Sequence, residues 1–132
     1  MRPRFSVVIP VRDRADVVGR AVASVLAQTF AGVEVVVVDD GSTDDTVAAA
    51  RAVADGRVRI VRQAAAGLEA ARRSGVERSH GRWIALLDPD DEVAPGWLAR
   101  IGRLIESTGA VLVSCGGEQV HTDGFLELLD AL

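Results

Sequence analysis

The sequence predicts an α/β protein, a three-layer α/β/α sandwich built around a mostly parallel sheet. Three observations predict it. Short apolar runs alternate with segments of helical spacing about a dozen residues long, the pattern of βαβ units. The runs are nearly continuous in valine, isoleucine and leucine, as strands covered on both faces are. Three polar clusters, Arg12-Asp13-Arg14, Asp39-Asp40-Gly41-Ser42 and Asp88-Pro89-Asp90-Asp91, each directly follow such a run. Right-handed crossovers place helices on both faces and bring all three clusters to one edge of the sheet. Ligands of open α/β sheets bind beyond that edge.

The elements follow in order. Phe5 to Val11 reads as the first strand, ended at Pro10. From Ala15 the spacing turns helical, with Val18, Val22, Val25, Leu26 and Thr29 on one face and Asp13 as its predicted N-cap. Val33 to Val38 is the second strand. Ser42 is the predicted N-cap of the second helix, with Asp45 as capping-box partner, and that helix runs to about Ala54. Val58 to Val61 is a short third strand, and Leu68 to Ser79 a third helix with Gly75 as a weak point. Trp83 to Leu87 is a strand predicted to be buried on both faces. Pro95 suits the first turn of a fourth helix, which carries Trp97, Leu98, Ile101, Leu104 and Ile105 inward and stops at Gly109. Ala110 to Cys115 reads as a fifth strand broken by Gly116-Gly117. Asp123 to Leu132 reads as a short helix with Phe125, Leu128, Leu129 and Leu132 inward.

Composition excludes several classes. The 132 residues suit one domain, and 48% of them are hydrophobic, enough for a core. A single Cys115 rules out an internal disulfide and a cysteine-based zinc site. Net charge is −4, which gives no general footprint for nucleic acid. No apolar run reaches the ~20 residues of a membrane helix, and no secretory signal precedes the first strand. A cytoplasmic setting is expected, or one peripheral to the inner face of a membrane. All 15 cations are arginine. The absence of lysine removes P-loop and Schiff-base chemistry and leaves arginine to hold any phosphate.

The remaining chemistry is acidic. Asp88-Pro89-Asp90-Asp91 crowds three carboxylates into a turn stiffened by proline. Like charges at that spacing call for a cation, and hard oxygen ligands suit Mg²⁺ or Mn²⁺. An acidic surface turn opening the next helix is the alternative. No Gly-x-Gly-x-x-Gly or Walker A sequence is present. Cys115 reads as a buried thiol rather than a nucleophile, His80 as a partner of a helix C-terminus, and His121 as an isolated loop residue.

Five motifs then occur in order. Phe5-Ser6-Val7-Val8-Ile9-Pro10 and Ala23-Ser24-Val25-Leu26-Ala27-Gln28-Thr29-Phe30 come first. Glu34 to Asp44, with Asp39-Asp40-Gly41-Ser42, is the third. Gly67 with Ala71-Arg72, and Asp88-Pro89-Asp90-Asp91 with Pro95 and Leu98, complete the set. With these motifs the chain resembles the nucleotide-binding half of a family-2 glycosyltransferase of GT-A fold, from about Phe5 to Val113. The resemblance implies that residues 1–132 form a single nucleotide-sugar-binding domain lacking the acceptor-binding C-terminal half. Pro10, Val11, Arg12, Asp13, Asp39, Asp40, Gly67, Arg72, Asp88, Pro89 and Asp90 would line the nucleotide-sugar site. Asp40 would accept from the base, typically uracil, with Asp39 assisting or capping. Asp88 would lie near the ribose, Arg72 near the sugar-diphosphate, and Asp91 would support the turn. Asp90, with Asp88, would hold Mn²⁺ or Mg²⁺.

The function so implied is metal-dependent, inverting transfer of a sugar from a nucleotide-diphosphate donor, UDP-linked by expectation. The acceptor, a glycan, lipid or small molecule, is unspecified. A nucleotide-sugar-binding module without transfer activity is the alternative, and a purely structural domain with acidic turns a third reading. Arg12-Asp13 replaces the family's Tyr-Asn, and Arg73 its asparagine. The catalytic base is not identified; Glu118 and Asp123 are the acids in the relevant region. Apolar surface left near the C-terminus suggests a homodimer involving Phe125, Leu128 and Leu129.

Overall fold

The computed structural model describes residues 2–109 together with the backbone of residues 115–118 and 125–128. Its elements are β1 (Phe5–Val11), α1 (Val18–Leu26), β2 (Val33–Asp40), α2 (Thr46–Val53), β3 (Val58–Gln63), α3 (Leu68–Glu77), β4 (Trp83–Leu86), α4 (Trp97–Thr108), β5 (Cys115–Glu118) and β6 (Phe125–Leu128). The first four strands form one parallel sheet in the order β3-β2-β1-β4. The order reverses at β1, so the chain switches faces of the sheet there.

β1, and β2 apart from the half-buried Glu34, are buried because helices cover both faces, which explains their near-unbroken valine content. Phe5, Val7, Ile9 and Val11 face one layer, where Val18, Val22 and Val25 of α1, Ala50 of α2 and Trp97, Leu98 and Ile101 of α4 meet them. Val8, Val36 and Val38 face the other, under Ala71 of α3. Each fully buried side chain of this kind contributes about 1.5–3 kcal/mol. Pro10 does not end β1. Arg4 and Val8 accept backbone bonds from β4, so even-numbered residues turn their polar groups that way. Pairing with β4 stops at Val8 and Leu86, and the N–H that Pro10 lacks would face the space beyond it.

Gly75 is not a weak point. It is buried against the sheet, and a Cβ there would overlap Val8 Cγ1 and stand 3.2 Å from Val38 Cγ2. The missing side chain lets α3 approach β1 and β2 closely. That seat leaves β4 uncovered on the same face. Trp83 and Ala85 pack on the α1/α4 side, but Ile84 and Leu86 are 38% and 53% exposed, so β4 is not buried on both faces as its composition predicted.

Several boundaries differ from expectation. α1 begins at Val18, three residues past Ala15, and neither Asp13 nor Ser42 caps a helix. α2 begins at Thr46 and its N-cap, Asp45, makes no side-chain capping bond. Asp44 accepts from the Thr46 N–H instead, at 2.9 Å. β2 and β3 extend to Asp40 and Gln63. Pro95 lies just before α4, and its carbonyl accepts from Thr29 N–H at 2.9 Å. His80 lies beyond α3 and donates its backbone N–H to Glu34 at 2.7 Å. Gly116-Gly117 does not break a strand but lies within β5, and Phe125–Leu128 is a strand antiparallel to it, not a helix. Residues 110–114, His121, Asp123, Leu129 and Leu132 lie outside the described residues.

Candidate functional site

The three polar clusters all stand at the carboxyl edge, and side chains stitch the first two together. Asp13 adopts φ 51, a left-handed geometry that aspartate tolerates. Its N–H donates to Ser42 Oγ at 2.8 Å, and its carboxylate accepts from Thr43 N–H at 2.7 Å. Arg14 N–H donates to Thr46 Oγ1 and Ala15 N–H to Asp44. These bonds hold the β1–α1 loop against the β2–α2 loop.

Asp39 and Asp40 end β2 on opposite faces. Asp40 is 4% exposed, and its carboxylate accepts from Gln63 Nε2 (2.9 Å), Ala66 N–H (2.8 Å) and Gly67 N–H (2.9 Å). Burial alone would raise its pKa, but these three donors and the nearby charge of Arg12 outweigh burial and hold it below the usual carboxylate range. Asp40 therefore ties down the β3–α3 loop and with it the start of α3. Gly41, at φ 79, lets the same loop approach; a Cβ there would stand 2.8 Å from the Ala65 nitrogen. Asp39 is different. It is 1% exposed, and neither oxygen has a hydrogen-bond partner among the described residues.

The third cluster is held from below. Leu87 N–H donates to Val8, anchoring the end of β4, and Asp91 N–H donates to the Asp88 carbonyl at 3.1 Å, closing the turn. Beyond it, Val93 N–H donates to Ser24 Oγ. Gln28 bridges Ala94 O and Leu98 N–H at 2.7 and 3.0 Å. The polar residues of the Ser24–Gln28 stretch thus fix the segment after the acidic turn. Asp88, Asp90 and Asp91 are exposed and present carboxylate oxygens within 4.8 Å of one another. Partial loss of solvent, then the charges of Asp90 and Asp88, push the Asp91 carboxyl above its usual range. Arg72 reaches from α3 to within 3.7 Å of Asp88 Oδ1 while bonding Glu69 at 2.6 Å, and its Nε is buried without a partner among the described residues.

The structure therefore gathers Val11, Arg12, Asp39, Asp40 and Gly67 around the ends of β1 and β2, with Arg72, Asp88, Asp90 and Asp91 between α3 and the end of β4. Pro10 lies within β1, one residue before its end, and Pro89 lies in the turn after β4. Gln63 and Arg62 were not singled out from sequence. Both sit at the end of β3, in register with Asp40 and Asp39, and only strand pairing reveals that. Glu118 is described in backbone alone, and Asp123 is outside the described residues.

A parallel sheet with this topology, acidic strand exits and an acidic turn define a GT-A-fold transferase architecture, and comparison with known proteins agrees. Residues 6–127 match the model of glycosyl transferase family 2, and the chain belongs to that family. It is 40% identical over 123 residues to the succinoglycan biosynthesis protein ExoO of Rhizobium meliloti, covering 92% of this chain and 35% of that protein. It is 44% identical over 106 residues to ExoU of the same organism, covering 78% and 30%. The chain thus spans about a third of these relatives, at 35% and 30% of their lengths. In structure it is similar to S. aureus TarS 1-349 in complex with UDP-GlcNAc, with a TM-score of 0.76 and 23% identity over 80% of this chain and 32% of that one. It is also similar to the mannosyltransferase PcManGT of Pyrobaculum calidifontis in complex with GDP-Man and Mn²⁺, with a TM-score of 0.73 and 26% identity over 80% and 33%. Among the described residues no helix is long and apolar enough to cross a membrane.

Proposed function

We propose that this chain forms the donor-binding part of a glycosyltransferase that moves a sugar from a nucleoside-diphosphate sugar, UDP-linked by preference, to a separate acceptor. The observation that carries this reading is the pairing, at one sheet edge, of a buried carboxylate with open acceptor oxygens and an exposed three-carboxylate turn. The relatives' glycosyltransferase family and the nucleotide sugars held by the structural neighbours support it.

In this reading Asp39 accepts from a base N–H. Asp40, with its oxygens already engaged by Gln63, Ala66 and Gly67, shapes the loop beside it. This exchanges the roles that the motif resemblance suggests for the two. Arg72 lies where it can pair with a diphosphate oxygen. The turn suits a hard divalent cation on its own chemistry. It offers only carboxylate oxygens, they are solvent-accessible, and partial burial first, then the charges of Asp90 and Asp88, raise the Asp91 carboxyl. Asp88 and Asp90 would hold Mn²⁺ or Mg²⁺. When bound, that ion would neutralise charge developing on the departing diphosphate. Inverting transfer also requires a base on the acceptor hydroxyl; we place that base, and the acceptor site, in the part of the relatives that this chain does not span.

Calorimetric titration with UDP and with GDP, in Mn²⁺ and in chelator, tests the reading on wild type and Asp90→Ala. We expect metal-dependent binding in wild type and a severe loss in Asp90→Ala. For either nucleotide, equal affinity across wild type and Asp90→Ala, with Mn²⁺ and with chelator, would overturn the metal role, and no binding of either nucleotide would overturn the donor-site reading.

A further inference from the structure

Val11, Asp39 and Arg62 stand in one row across the ends of three neighbouring strands, since Val11 pairs with Asp39 and Asp39 with Arg62. The middle member is a carboxylate only 1% exposed, with neither oxygen hydrogen-bonded among the described residues. A buried, unpaired charge is costly unless a counter-charge lies nearby. Arg62 supplies one loosely. Its Nε stands 3.7 Å from Asp39 Oδ2, beyond hydrogen-bond range, and its side chain is 63% exposed. Other arginines here are committed: Arg57 grips Asp55 at 2.7 Å, and Arg72 grips Glu69 at 2.6 Å. Arg62 is near enough to offset the charge of Asp39 and free enough to move.

We propose that Arg62 is a positioning residue of the nucleotide-base subsite. Without nucleotide its guanidinium offsets the buried Asp39 carboxylate. With nucleotide, the base N–H donates to Asp39 while the planar guanidinium still faces that carboxylate and holds it toward the base. This assignment rests on the reading that the edge binds a nucleoside diphosphate. Because the arginine acts through Asp39, removing both groups should cost no more than removing Asp39 alone.

A double-mutant cycle tests this on the 132-residue chain, with UDP and Mn²⁺ as the probe and calorimetry as the readout. Arg62→Gln should weaken UDP binding roughly tenfold to a hundredfold, the scale of a charge-assisted contact. Arg62→Lys, which keeps the charge but not the plane, should fall between Arg62→Gln and wild type. Asp39→Asn with Arg62→Gln should bind no worse than Asp39→Asn alone. Wild-type affinity in Arg62→Gln overturns the proposal, as do losses that multiply in the double variant. If Arg62→Gln proves unfolded by circular dichroism, Arg62→Lys decides: wild-type affinity there overturns the proposal and reduced affinity supports it. Failure of wild type to bind either UDP or GDP sinks the donor-site reading itself, a result distinct from any difference among variants.

Discussion

Asp39 and Asp40 are consecutive in β2, so their side chains leave opposite faces of the sheet. One becomes a structural anchor and the other a buried carboxylate without a hydrogen-bond partner among the described residues, although the residue type is the same. Asp40→Asn removes a charge that three donors address and turns one acceptor oxygen into a donor. It should destabilise the chain by about 1–3 kcal/mol at neutral pH, measured by urea unfolding. The sign of the pH dependence follows from the depressed pKa of Asp40 in the folded state. Its stabilisation is present above the unfolded value, about 3.9, and is lost as pH falls through the lower folded value. The gap between wild type and Asp40→Asn should therefore narrow below about pH 4. A gap that widens in acid would show that the carboxylate is not stabilised by its neighbours. The two aspartates were legible as candidates from their place after a valine run, but nothing in the sequence divides their roles.

At the scale of elements, α3 shows how one missing side chain sets a layer. Helix propensity alone makes Gly75 a defect, and Gly→Ala at a permissive position adds about 0.4–1 kcal/mol of stability. Here the added methyl would overlap Val8 and crowd Val38. Gly75→Ala should instead cost about 1–3 kcal/mol, read by thermal or chemical unfolding. A stabilised variant would mean that α3 can lift from the sheet without penalty. At the opposite edge from the site, Glu34 joins β1, β3 and the approach to β4. It accepts from Ser6 Oγ at 2.8 Å and His80 N–H at 2.7 Å, with Arg59 Nη2 at 3.5 Å. Its polar place in a valine strand was visible in sequence as an interruption, and its partners were not. The residues just before α1 were likewise placed by partners from another loop, since Thr46 and Asp44 accept from the Arg14 and Ala15 N–H groups.

At the scale of the whole molecule, the sheet brings the three polar clusters to one edge within a chain that spans about a third of its relatives, 35% and 30% of ExoO and ExoU. We expect this chain to bind a nucleotide sugar and to transfer little of it. General-base catalysis contributes about 10²–10⁴-fold, and acceptor positioning contributes further. Slow hydrolysis of UDP-GlcNAc or GDP-Man by water, followed by release of free nucleotide, is the activity to measure. Rapid transfer to a defined acceptor by these 132 residues would show that a base is already present.

The sequence by itself determined the α/β class, the parallel strands, the inward faces of α1 and α4, and the three polar clusters that share an edge. Each of these follows from periodicity and from right-handed connection, which act locally or between successive elements. The tertiary structure alone decided which aspartate is anchored and which is left without a hydrogen-bond partner among the described residues, that Arg62 stands beside Asp39, that β4 shows Ile84 and Leu86 to solvent, and that Gly75 is a contact. Those outcomes depend on strand register and on the distance between layers. Such distances join residues far apart in the chain, and no single segment encodes them.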